Sequence, residues 1–280
     1  MNTKGIQNDS LSLSTHYLRM IPFGSETVMS TGTGFVYEDD SKLYLITNGH
    51  NVTRVNPDTN MRIVNSIAFP IRIKTKARII SEDNPNALAS DFFDIDLYDD
   101  DEFLKPKWFI HPTHGYKVDV IAIPFASMAE IPKHVKLFPI NKYEFNNQFD
   151  IEIADDVFIL GYPFDITGGK ELPIWKRGTI STEPVIDIEN LPKFLVDTAT
   201  RSGMSGSPVI MQRNGFHGFN GKEMTGKELL GVIRLFAGIY SGRIGAEDNF
   251  QTQLGIVWKP SVIDEIISGQ KLGDIGFQSI

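Results

Sequence analysis

A serine bracketed by glycines, Gly203-Met204-Ser205-Gly206, is the sharpest chemical signal in this 280-residue sequence. A serine hydroxyl attacks a carbonyl only when a base takes its proton and fixed donors hold the oxyanion that forms. The flanking glycines let the backbone turn without Cβ clashes, so the amides of Gly203 and Ser205 can aim at one point as an oxyanion hole. Pro208-Val209-Ile210 then reads as a strand start, where proline is tolerated. A base is offered by His50, in a turn of small polar residues (Thr47-Asn48-Gly49-His50) that ends the apolar run Leu43–Ile46. The third group is Asp119, inside Val118-Asp119-Val120-Ile121-Ala122-Ile123. A carboxylate in an apolar strand is costly unless paired, and an imidazole in need of orientation is a fitting partner. Asp94 and Asp96 are weaker candidates, because their acidic neighbourhood reads as a solvated loop. Taken singly, each segment has a plainer explanation: a Gly/Ser turn, a loop histidine, an exposed strand start. Taken together, they place a base and an orienting acid in the front half of the chain and a nucleophile in the back half.

Strands must carry these groups. Short β-rich runs separated by Gly, Pro, Asn and Asp recur at Thr15–Pro22, Thr33–Tyr37, Lys42–Thr47, Ile63–Ile73, Val118–Pro124, Val157–Tyr162, Phe194–Thr198, Pro208–Met211, Leu229–Ile233, Ala237–Tyr240 and Gln253–Val257. Such runs predict barrels or a sandwich. One helix is expected at Pro260–Ser268, with Ser261 as cap, Asp264 as its partner three residues on, and Gly269 as terminator. Ser81–Glu102 reads as an exposed excursion and Gly215–Lys227 as a long loop. A weakly structured seam near Ala129–Asn146 predicts two domains, 1–135 with His50 and Asp119, and 136–280 with Ser205 and a helix near 260–268.

Gly203–Val209 resembles the active-site loop of trypsin/chymotrypsin-like serine peptidases. Asp197, six residues before the first glycine of this loop, and the strand Gly32-Thr33-Gly34-Phe35-Val36 make the resemblance greatest to the bacterial Deg-type (heat-shock) branch, protease domain only. Thr47–His50 is similar to the family's base motif, with Gly49 where alanine is usual, and Asp119-Val120-Ile121-Ala122 to its acid strand. The order His50, Asp119, Ser205 is the family's order; α/β-hydrolases and subtilisins use others, and Ser207 stands where the hydrolase elbow needs glycine. The resemblance implies an all-β fold of two six-stranded antiparallel barrels with a C-terminal helix. It implies a serine endopeptidase acting through an acyl-enzyme, without cofactor or metal, on polypeptide substrates. It also implies a substrate site at Ala199, Thr200, Ser241, Gly242 and Gly255, with Leu229–Ile233 a competing placement for the substrate strand. Ala199 on the pocket floor implies a small or medium apolar residue before the cut, unless Arg243 or Glu247 folds inward. A latent scaffold that needs a protein activator is the rival reading, and an esterase on the same triad a third.

Composition narrows the alternatives. The 41% hydrophobic content suffices for a sizeable core, and a net charge of −8 opposes nucleic acid or an anionic membrane as partner. The chain has no cysteine, which excludes thiol catalysis and disulfides and, with no signal-like apolar segment at the start, leads us to expect a cytoplasmic protein of bacterial type. His111-Pro112-Thr113-His114 lacks a carboxylate at metal-binding spacing, and Asp99–Glu102 lacks an alternating calcium-ligand pattern.

Overall fold

The computed structural model describes residues 9–57, 59, 61–63, 68–79, 89–199, 201–219, 221–222, 224–226, 228–243 and 254–274. A short helix α1 (Ser10–Ser14) leads into the first sheet, β1 (Thr15–Pro22), β2 (Ser30–Asp39), β3 (Lys42–Thr47), β4 (Pro70–Ile79), β5 (Ala89–Asp96), β6 (Phe109–Ile110), β7 (Ile121–Ser127) and β8 (Val135–Lys136). Helix α2 (Gly49–Thr53) follows β3. The second body holds β9 (Asp156–Gly161), β10 (Ile174–Ile180), β11 (Lys193–Asp197), β12 (Pro208–His217), β13 (Leu229–Arg243) and β14 (Leu254–Trp258), followed by α3 (Ser261–Gly269) and β15 (Lys271–Leu272).

Strands β9 to β14 close into a six-stranded antiparallel barrel in the order β10-β11-β14-β13-β12-β9. The front half differs from a six-stranded barrel. It is a nine-stranded sheet, β15-β6-β7-β3-β2-β1-β4-β5 with β8 on β4, whose hydrogen-bonded path does not close among the described residues. One end of the path is the two-residue β15 on the two-residue β6, and the other is the eight-residue β5.

Several elements correct the sequence reading. Ser81–Glu102 is not all loop, since β5 occupies Ala89–Asp96. Two of its aspartates lie opposite basic residues of β4, with Lys74 facing Asp94 and Arg72 facing Asp96, and opposite charges across a strand pair stabilise it. The strand placed at Ile63–Ile73 begins at Pro70 instead, and β12 runs to His217, into the segment read as loop. The two runs Leu229–Ile233 and Ala237–Tyr240 belong to one strand, β13, whose mismatch with β12 is absorbed by a bulge at Val209/Ile210. Helix α3 buries Val262, Ile263, Ile266 and Ile267, as its apolar face demands, but Ser261 does not cap it: Pro260 holds that position, and no side chain caps the start. Asp264 instead accepts the Tyr37 hydroxyl of β2 at 2.7 Å, which ties the helix to the front sheet. No described helix is long and apolar enough to cross a membrane.

One core cluster spans both bodies. It joins Phe35, Tyr44, Ile46, Val118 and Val120 of the front half with Leu160, Leu195, Ile210, Ile239 and Trp258 of the barrel, and with the buried face of α3. The cleft between the bodies is therefore held by a shared apolar floor.

Candidate active site

Strand β3 is apolar and buried until Thr47, after which Asn48 starts α2 from an extended conformation (φ −81°, ψ 148°). That geometry sets His50 on the first turn of α2, facing Asp119, which lies in the irregular segment just before β7 rather than inside the strand expected at Val118–Pro124. The Asp119 side chain is 2% exposed. Its carboxylate accepts the His50 backbone amide at 3.0 Å, His50 Nδ1 at 2.6 Å and the Ser241 hydroxyl at 2.5 Å. A carboxylate only accepts, so Nδ1 carries the proton and Nε2 keeps its lone pair for an incoming one. Asn48 Nδ2 donates to the Asp119 carbonyl at 2.6 Å, locking the turn to the segment that carries the acid. Gly49 is small for a reason: a Cβ there would stand 3.3 Å from Asp119 Oδ1 and 3.5 Å from Tyr116 Cδ1. Burial of the His50 ring draws its pKa down, but the charge and hydrogen bond of Asp119 outweigh burial and leave it above the ordinary imidazole value of 6.5.

The nucleophile loop is docked onto the front sheet. The Ser205 carbonyl accepts the Thr33 amide at 2.9 Å and the Asn51 side-chain amide at 3.3 Å. Thr33 Oγ1 donates to the Gly203 carbonyl at 2.7 Å, and Thr47 Oγ1 donates to the Thr33 carbonyl at 2.7 Å. Gly203 and Gly206 have φ of 91° and 87°, a region open to glycine, and a Cβ on Gly206 would collide with the Thr33 carbonyl. The Met204, Gly206 and Ser207 amides bond to the Arg201, Tyr240 and Met204 carbonyls. Among the described residues the Gly203 and Ser205 amides have no acceptor, and the Ser205 hydroxyl makes no hydrogen bond. Catalytic contacts of this kind commonly tighten only when substrate arrives.

The other sequence candidates divide. Ser241 sits at a bulge of β13 and turns its hydroxyl to Asp119, so it serves the base pair directly. Ala199 is partly buried after β11, and Gly242 and Gly255 face each other's neighbours across the β13–β14 pairing. Thr200, Glu247 and the side chain of Arg243 lie outside the described residues. His111 is a structural joint: its Nε2 bonds Glu265 of α3 at 2.8 Å, and no group of three or more metal-binding side chains occurs among the described residues. Sequence reasoning overlooked Thr33, Thr47 and Asn51, which connect the two halves of the site. The signal was present, since Thr33 and Thr47 are fully buried polar residues inside apolar strands.

Residues 32–218, about two thirds of the sequence, match the family model of the trypsin-like peptidase domain. The chain belongs to that family, and it is a trypsin-like serine peptidase. Its fold is similar to the inactive form of Rv3671c from M. tuberculosis H37Rv (TM-score 0.46, 15% identity, covering 92% of this chain and 87% of that one). It is also similar to the serine endoprotease from Yersinia pestis (TM-score 0.48, 12% identity, covering 94% of this chain and 66% of that one). A third likeness is to the HtrA-type protease AlgW with tripeptide (TM-score 0.48, 12% identity, covering 92% of this chain and 60% of that one). The chain thus spans less than two thirds of the last two. Among curated protein sequences none matches.

Proposed function

We propose that this peptidase is an endopeptidase that cleaves through a Ser205–His50–Asp119 triad. His50 Nε2 takes the Ser205 proton as the hydroxyl oxygen bonds to the scissile carbonyl carbon. The resulting oxyanion is held by the Gly203 and Ser205 amides. The peptide C–N bond then breaks, the leaving amine takes the proton from His50, and water attacks the ester by the reverse path. No metal or organic cofactor enters this sequence. The observation that carries the proposal is the grip of Asp119 on His50, through the backbone amide and Nδ1 together at 3.0 and 2.6 Å. Such a grip fixes both the position and the tautomer of the base.

A small or medium apolar side chain before the cut fits the walls near Ala199. A Cβ on Gly255 would stand 2.5 Å from the buried Tyr240 ring and 3.3 Å from Thr198 Cγ2, so this wall has little depth to spare. The same reading treats residues 1–135 and 136–280 as two domains around one cleft, supported by β1–β7 lying in the front sheet and β9–β14 in the barrel, while β8 and β15 also join the front sheet. The absence of cysteine supports a reducing, cytoplasmic setting. The unbonded Ser205 hydroxyl gives the latent reading its one specific support: substrate or an activating partner would bring it onto Nε2.

A fluorophosphonate probe tests the proposal. Labelling of the wild type and loss of labelling in Ser205→Ala is the expected result. An unlabelled wild type that remains so with denatured protein substrate present would defeat the active reading and leave the latent one. Mapping the residue before each cut in a denatured proteome then checks the size preference.

A further inference from the structure

Strands β12 and β13 outrun the barrel they belong to. β9 reaches β12 only at Val209–Met211, and β14 reaches β13 only from Ile239 onward. Beyond Met211, β12 pairs with β13 alone among the described residues, from Gln212 opposite Arg234 to His217 opposite Leu229. The root of this two-stranded arm is fastened by Asn146, whose amide donates to the Arg234 carbonyl at 2.9 Å and whose side-chain oxygen accepts the Arg234 amide at 2.8 Å.

Residues opposite each other on paired strands share a face, and the next residue along each strand takes the other. One face of the arm is covered: Ile233 is fully buried, and the His217 ring meets Phe149 edge-on at 6.0 Å. On the other face Phe216 lies opposite Leu230, and Asn214 opposite Val232. Phe216, Leu230 and Val232 are 50%, 81% and 52% exposed. Phe219, 47% exposed, extends the patch with its ring 5.9 Å from that of Phe216. Four side chains so placed leave roughly 500 Å² of apolar surface in water, as much as the largest patch on an ordinary monomer. A two-stranded ribbon is marginal by itself in water, so the arm gains from a cover on this side.

Charge selects the cover. Along this face Gln212, Asn214, Phe216, Leu230 and Val232 are uncharged, and Arg234 at its root is held by Asp9 at 2.6 Å. Such a face has nothing to draw in a charged partner. The whole chain carries −8, so two copies repel where acidic surfaces meet and least where neutral faces meet. The edge of β12 from Gln212 to His217 also lacks the Lys and Pro residues that commonly keep exposed strands apart. We propose that this face is an interface between two copies of the chain, with Phe216, Leu230 and Val232 of one arm packed on the same residues of the other across a two-fold axis. The patch and its polar rim approach the roughly 800 Å² per partner of a standard interface, which suits a reversible dimer. Pairing of the arms needs nothing from the triad.

Sedimentation velocity of the full chain over about 1–200 μM provides the test. The wild type should pass from monomer to dimer within that range. Leu230→Asp should stay monomeric throughout, because pairing would bury two like charges together. Val185→Asp, which alters an equally exposed side chain in the β10–β11 connection, should dimerise as the wild type does. Because the chain has no cysteine, Leu230→Cys supplies one thiol per copy. A short bismaleimide should join two chains of Leu230→Cys and none of Val185→Cys. Melting temperatures check that each variant is folded, and Val232→Asp replaces Leu230→Asp if that variant is not. A wild type that remains monomeric at the highest concentration overturns the proposal, as does a dimer that survives Leu230→Asp or one that Val185→Asp also abolishes. Crosslinking at position 185 and not at 230 would place the interface elsewhere and overturn it too.

Discussion

In the proposed triad Asp119 is the residue around which the chemistry turns, because its buried carboxylate is satisfied by holding His50 and Ser241. Asp119→Asn keeps the shape but offers Nδ1 a donor, so the wrong tautomer is favoured, and kcat should fall about 10⁴-fold at neutral pH. The pH profile carries the same information. The base works when neutral, and Asp119 raises the His50 pKa against the lowering effect of burial, so kcat/KM should rise with pH to a midpoint above 6.5, and that midpoint should drop in Asp119→Asn. Thr33 acts on the other partner. Thr33→Val removes a fully buried hydroxyl that donates to the Gly203 carbonyl, freeing the peptide that must present the oxyanion donors. The expected result is a kcat lower by about tenfold at little change in KM, with about 1–3 kcal/mol lost in urea unfolding for the orphaned carbonyl. A loss of stability with unchanged kcat would make Thr33 merely structural.

Strand identity was readable where an apolar run stands between turn residues, as in β1 and β3, whose bounds match the sequence expectation residue for residue. It was hidden in β5, where aspartates at 91, 94 and 96 look like a solvated run until the basic β4 lies opposite. Charge reads as loop only while its partner strand is unknown. Strand β1 also hides a titrating group. His16 is buried, with Nδ1 on the Lys76 carbonyl at 3.1 Å and no partner for Nε2 among the described residues. Burial, helped by Arg78, pulls its pKa down to about 4. The folded state thus resists a proton that the unfolded chain takes near 6.5, and stability present above that pH is lost as pH falls toward 4, on the order of 3 kcal/mol in all. His50 has the opposite sign: its contribution is present below 6.5 and lost as pH rises through its raised pKa. Urea midpoints between pH 7 and 4.5 should fall in the wild type and fall less in His16→Gln. Equal slopes would show that acid instability arises elsewhere.

The two bodies are belted at both ends. Ahead of the front sheet, Leu11 of α1 is fully buried in the shared core, Asp9 bonds Arg234 of the barrel at 2.6 Å, and Trp175 donates to Ser12 at 2.8 Å. Beyond the barrel, α3 and β15 return to the front sheet. With each end docked on the opposite body, the front sheet and barrel should unfold in one calorimetric transition. Leu11→Ala should cost about 2–5 kcal/mol and lower that transition rather than split it; two separated transitions in the wild type would contradict the coupling. The three chemical groups, their order along the chain, the β-rich class and the apolar face of α3 could all be read from residue types and spacing, because each depends on local pattern: a glycine-framed turn, a polar group in an apolar run, a period along a strand or helix. Spacing could not tell which distant surfaces meet. The three hydrogen bonds on Asp119, the threonines that carry the nucleophile loop and the Asp274 amide that donates to Tyr116 join residues far apart in the chain, and the open edge of the front sheet depends on which distant strands pair. Such contacts arise only when tertiary packing brings distant segments together, within the front half for His50 and Asp119 and across the two bodies for Ser241 with Asp119 and Thr33 with Gly203.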